Sequence, residues 1–177
     1  MGRRPIAASI SEWGAQTKDT CARLGISDVR ILAEPGRAIA AQAAITVYTI
    51  GTFKSLPGIR NYVAVDGGFV DNIRPVLYGS EYTSFAPQRV LETRPDSARI
   101  VGSHCESGDI IIREASLPQG LNVGDLIATP VTGAYGHGMG SNYNRMGRPP
   151  VVFVSNGEAR LVVRGEMLED LLRLDIE

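Results

Sequence analysis

A thiol, an imidazole, a hydroxyl and two carboxylates stand together in His104-Cys105-Glu106-Ser107-Gly108-Asp109, and Ile110-Ile111-Ile112 follows at once. The apolar run reads as a buried strand, so these groups sit at its mouth. Polar groups buried there without partners would cost about 2 kcal/mol or more each. One reading is structural: a His-Cys pair ahead of glycine is a common polar start to a strand. The other is that Cys105 and Glu106 face a ligand carrying amine and carboxylate groups. This stretch alone leaves both open.

Three other segments are too polar and glycine-rich to be simple connections. They are Glu34-Pro35-Gly36-Arg37, the run from Asp66-Gly67-Gly68 through Arg74-Pro75 to Tyr78-Gly79, and Thr132-Gly133-Ala134-Tyr135-Gly136 with Ser141-Asn142-Tyr143-Asn144-Arg145. Glycines let backbone N–H groups approach an anion, and arginines fork onto carboxylate or phosphate. With the central cluster they supply arginine, tyrosine, thiol and carboxylate groups, the set an amino-acid site uses. Lysine chemistry has two candidates only, Lys18 and Lys54, because every other basic side chain apart from histidine is arginine.

The elements that must position these groups change character along the chain. Residues 9–24 predict a helix: Ser9 and Glu12 have capping-box spacing, Ile10, Trp13, Thr17, Cys21 and Leu24 fall near one face, and Gly25 stops it. Val29-Arg30-Ile31-Leu32-Ala33 predicts a short strand, which with the helix makes half of an α/β repeat. From residue 44 the pattern is β. Strands are expected at 45–51, 62–66, 100–102, 109–114, 125–129, 151–155 and 160–164, with turns at Pro57-Gly58, Gly67-Gly68, Gln119-Gly120 and Asn156-Gly157. Asn156-Gly157 between apolar runs predicts a type I′ hairpin, and Lys54 is expected in an earlier hairpin turn. A short amphipathic tail over 166–174 closes the chain. Many short strands at this spacing predict a mainly β fold, a Greek-key β-barrel or sandwich.

A formal net charge of -1 argues against a nucleic-acid or polyanion partner. No apolar run approaches the roughly 20 residues that cross a bilayer, and Met1-Gly2-Arg3-Arg4-Pro5 has no apolar segment behind it to make a signal peptide. Two cysteines, Cys21 and Cys105, make no disulfide framework and point to a reducing, cytoplasmic setting. Two His and two Cys without paired spacing argue against a structural metal site.

The ordered set Glu34-Pro35-Gly36-Arg37, Asp66-Gly67-Gly68, Arg74-Pro75 with Tyr78-Gly79, His104-Cys105-Glu106-Ser107-Gly108-Asp109, Thr132-Gly133-Ala134-Tyr135-Gly136 and Ser141-Asn142-Tyr143-Asn144 resembles the C-terminal part of the diaminopimelate decarboxylases. The Cys-Glu-Ser-Gly-Asp run is its most specific piece. The resemblance implies a TIM barrel carrying pyridoxal phosphate followed by a β domain. Residues 1–43 would be the last helix and strand of that barrel, incomplete here, and residues 44–177 the β domain.

It also implies roles. The Gly36 backbone and the Tyr135 hydroxyl would hold the cofactor phosphate, with Tyr135 also lining the substrate pocket. Arg37, Arg74 and Tyr78 would bind substrate carboxylates. Glu106 would receive the distal amine of meso-diaminopimelate, and Cys105 would return a proton to the α-carbon after carbon dioxide leaves. Cys105 and Glu106 would reach the active site of a second subunit, making a homodimer with a shared site.

The family's cofactor-bearing lysine and its phosphate loop lie upstream of any motif in this chain, and neither Lys18 nor Lys54 sits in a matching one. The chain is therefore expected to lack competence alone. Two other readings follow from the same residues: a non-catalytic module that dimerises or complements a separate barrel, and a related decarboxylase acting on another diamino acid or a carboxylated polyamine.

Overall fold

The computed structural model describes residues 6–27 and 29–176. The charged start Met1-Gly2-Arg3-Arg4-Pro5 lies outside them. Helix α1 (Ile6–Arg23) comes first and α2 (Gly36–Ala40) next. The strands are β1 (Ile45–Leu56), β2 (Arg60–Val65), β3 (Asp96–Val101), β4 (Ile110–Leu117), β5 (Leu126–Pro130), β6 (Val151–Ser155) and β7 (Glu158–Val163). Short helices α3 (Arg74–Tyr78) and α4 (Gly136–Met139) lie in the β2–β3 and β5–β6 connections, and α5 (Leu168–Leu172) lies near the end.

Five strands form one sheet in the order β4-β3-β2-β1-β5, and β6 with β7 makes a separate hairpin. All neighbours are antiparallel except β2 and β3, which pair in parallel through Tyr62–Arg99, Val63–Ile100 and Ala64–Val101. Tyr48, Ile50, Val63, Val65, Ile100, Ile112, Leu117 and Ile127 belong to one buried cluster, so both edge strands feed the same core. A flat sheet would hold its edges apart; this one curls into a half-barrel. The mainly β expectation holds, as an open curled sheet with an added hairpin.

Three local expectations change. Residues 29–33 form no strand: Val29 and Leu32 are exposed and, among the described residues, no neighbouring strand offers them a ladder. Strand β1 runs on to Leu56, so Lys54 lies within it, opposite Tyr62, rather than in the turn. The helix already begins at Ile6, ahead of the Ser9 start that the capping-box spacing suggested.

The Asn156-Gly157 turn does form, with φ of 51° and 80°, the pair of positive values a type I′ turn demands. Along α1, Ile10 and Trp13 remain 52% and 44% exposed, so its apolar stripe is uncovered in this chain. Among the described residues, no helix is long and apolar enough to cross a membrane.

Candidate active site

The three connections that hold the candidate residues converge on one end of the sheet. Thr132 N–H donates to the Ala44 carbonyl and Gly133 N–H to that of Ala41, which draws the 131–136 turn against α2. The Cβ position of Gly36 lies 2.8 Å from the Tyr135 hydroxyl oxygen, so only glycine gives that oxygen room. Tyr135 itself holds φ of 69°, a left-handed backbone that a bulky side chain rarely adopts and that aims the residue out of the turn. Gly36 and Tyr135 are thus brought together from opposite ends of the chain.

Arg74 opens α3 and stacks its guanidinium 4.9 Å from the centre of the Tyr78 ring, which fixes the two as a pair. The Nη1 atom of Arg37 and the Nε atom of Arg74 are buried without a hydrogen-bond partner among the described residues. Leaving such donors unmet costs about 1–3 kcal/mol each, so both guanidinium groups call for an acceptor. The α3 segment joins the Tyr135 turn through the Ser141 N–H bond to the Val70 carbonyl (3.2 Å).

The His104–Asp109 stretch divides into two faces. Asp109 turns inward and is 3% exposed. Its Oδ1 accepts the Phe69 N–H at 2.7 Å, and its Oδ2 accepts the His104 N–H at 2.9 Å and meets His104 Nδ1 at 2.8 Å. The buried His104 ring lies beside Phe69 (centroids 4.8 Å apart), and Phe69 lies beside Tyr143 (5.0 Å). Cys105 and Glu106 turn outward and are exposed. They make no hydrogen bond to Arg37, Arg74, Tyr78 or Tyr135 among the described residues. The structural reading therefore fits His104 and Asp109, and the ligand-facing one remains for Cys105 and Glu106.

A second polar region lies behind these loops. Tyr48, Asp71, His104, Arg148 and Glu166 line a cleft of about 370 Å³ that includes none of the six other candidate side chains. Burial, opposed by a backbone N–H bond from Gly68, raises the Asp71 carboxyl above its ordinary range. Burial also raises the Tyr48 hydroxyl, with Asp71 adding to it. At the outer edge Glu166 accepts from the backbone and guanidinium of Arg148 and from Asn142, which hold its carboxyl down at about 2. This clamp fixes the segment that bears Tyr143. Asp71, His104 and Asn142 lie inside the runs singled out in the sequence, whereas Tyr48, Arg148 and Glu166 lie outside them and carry no motif that could have marked them.

The family model of the pyridoxal-dependent decarboxylase C-terminal sheet domain matches residues 28–133. The diaminopimelate decarboxylase of Bacillus subtilis is 48% identical over 159 residues, which is 90% of this chain and 36% of that protein. A crystal structure of diaminopimelate decarboxylase superposes with a TM-score of 0.79 at 31% identity, covering 99% of this chain and 44% of that one. The lysine/ornithine decarboxylase of Vibrio vulnificus, complexed with putrescine, is more distant: TM-score 0.57, 26% identity, 69% of this chain and 32% of that one. The chain thus spans less than half the length of the relatives it matches. It belongs to the pyridoxal-dependent decarboxylases, and what it holds is their C-terminal sheet domain.

Proposed function

We propose that this chain forms the C-terminal part of a diaminopimelate decarboxylase, which converts meso-2,6-diaminopimelate to L-lysine and carbon dioxide. The carrying observation is the cradle at Gly36, where the Tyr135 hydroxyl lies 2.8 Å from the position a Cβ would take, next in sequence to the unpaired Arg37 donor. That donor set fits a phosphorylated cofactor. The Gly36 backbone and Tyr135 hydroxyl would hold the phosphate, while Arg37, Arg74 and Tyr78 would take the substrate carboxylates, with Tyr135 beside them.

Pyridoxal phosphate, when bound, supplies an electron sink for the pair left behind as carbon dioxide departs. This chain's residues orient the bond and manage the proton. Two arginines neutralise the substrate's two carboxylates and fix its direction. The Glu106 carboxylate accepts from the distal ammonium, so a ligand lacking that amine leaves a charge unpaired. The Cys105 thiol donates its proton to the α-carbon. The exposure of Cys105 and Glu106 supports their acting across a subunit contact, in a homodimer with a shared site.

The domain boundary lies between residues 43 and 44, and the cofactor lysine belongs to a barrel portion beyond these motifs, so the chain is inactive alone. Lys54 supports this, being held in a strand opposite Tyr62 rather than near Gly36.

The test mixes the chain with the barrel portion of a family member and pyridoxal phosphate and measures carbon dioxide from meso-diaminopimelate. Activity is expected only in the mixture. Cys105→Ser should lower kcat by about 100-fold, within the range removed with a general acid. Turnover by the isolated chain, or a borohydride-trapped cofactor on Lys18 or Lys54, would overturn the proposal.

A further inference from the structure

Asp109 is buried, and the bonds it receives join two of the converging segments. Phe69 N–H, from the connection that leads to Arg74, binds one carboxylate oxygen, and His104 N–H, from the turn that carries Cys105 and Glu106, binds the other. Gly102 N–H donates to the Asp109 carbonyl, so the turn is also closed at its base. Gly68 and Gly102 both press against the carboxylate so closely that a Cβ on either would collide with it. Both neighbouring positions therefore need glycine while the carboxylate stays where it is. The backbone bonds, rather than the His104 ring, set where the turn sits, because they hold its first residue directly.

We propose that Asp109 is a positioning residue: by bridging the Phe69 and His104 amides it sets the exposed Cys105–Glu106 turn relative to the Arg74 segment. This rests on the roles given above to Cys105 and Glu106. Asparagine cannot replace it. Its single oxygen satisfies one amide, while its NH₂ group faces the other N–H, donor against donor. His104→Phe removes only the ring contact, keeps the aromatic packing beside Phe69 and Tyr143, and deletes the buried Nε2 that has no partner among the described residues.

The experiment compares D109N, H104F and the unaltered chain, each assembled with the barrel portion. For D109N, kcat/KM for meso-diaminopimelate is expected to fall about 100-fold, the loss a displacement near 1 Å produces. Affinity for pyridoxine 5′-phosphate, whose contacts lie on other segments, should stay at the unaltered value. H104F should retain most of its kcat/KM. A purely stabilising role would lower turnover in both variants in proportion to their fall in Tm, and cofactor affinity with it; that pattern overturns the inference, as does undiminished kcat/KM in D109N.

If the unaltered assembly does not turn over, the functional proposal fails. The inference is then decided by hydrogen exchange in the chain alone. Faster exchange at Phe69 or His104 in D109N, with the β3 and β4 amides still protected, supports it. Unchanged protection at both residues overturns it.

Discussion

Gly36→Ala should damage cofactor binding without damaging the fold. The added methyl would sit 2.8 Å from the Tyr135 hydroxyl oxygen and 3.7 Å from Cζ, so the hydroxyl must move by several tenths of an ångström. Tyr135 is 50% exposed and can swing away at little cost. Gly36 opens α2 without a left-handed φ, so alanine fits the backbone and should add about 0.4–1 kcal/mol of stability by restricting the unfolded chain. A displaced hydroxyl loses a hydrogen bond to a charged group, worth about 1.5–3 kcal/mol. At 1.4 kcal/mol per decade, the dissociation constant rises about 10- to 100-fold.

Pyridoxine 5′-phosphate is the suitable probe, because it carries the phosphate and lacks the aldehyde, so its titration by calorimetry into the assembled enzyme does not depend on the lysine. Tyr135→Phe should give a similar loss, and the double variant should lose no more than either single one, since both remove the same contact. Additive losses in the double variant would show that the Gly36→Ala methyl acts by some other route, and an unchanged dissociation constant in G36A would refute the placement of the phosphate here.

Ile100 is fully buried in β3 and faces the core that both sheet edges share. Ile100→Ala should lower unfolding free energy by about 2–5 kcal/mol in urea titrations, and a loss below about 1 kcal/mol would contradict that packing. Glu166 has a folded-state pKa of about 2 against an ordinary 4.5, mainly through its Arg148 bonds. A depressed carboxyl stabilises the fold above its unfolded value, and that contribution disappears as pH falls from about 4.5 through 2. Glu166→Gln should flatten this part of the Tm–pH curve, and an unaltered acid limb would count against the clamp.

What could be read in the sequence was what depends on near neighbours. The Asn156-Gly157 turn was legible because its two positive φ angles are set by those residues themselves. Strand β1 was foreseen only to residue 51, because Thr52, Lys54 and Ser55 lie on exposed surface and give no apolar signal. Val29 to Ala33 has strand composition and no strand, since a ladder needs a partner that composition cannot supply. The parallel register of β2 with β3 is likewise a matter of distant pairing.

At the site, the candidate residues were all visible as types. The opposite orientation of Cys105 and Asp109 was not, because it is decided by the amide of Phe69, far away in the chain. The association of Gly36 with Tyr135 depends in the same way on how the 131–136 turn docks on α2.

The parallel pairing of β2 with β3 obliges the chain to travel back the whole length of a strand before it can pair again. Residues 66–95 are that return journey, and they carry Arg74 and Tyr78. Topology demands this path whatever its side chains, so its residues are free to diverge toward new ligands while the pairing of the sheet stays put. Trimming it to hairpin length would reverse the direction of β3, so the route can be rewritten but not abolished.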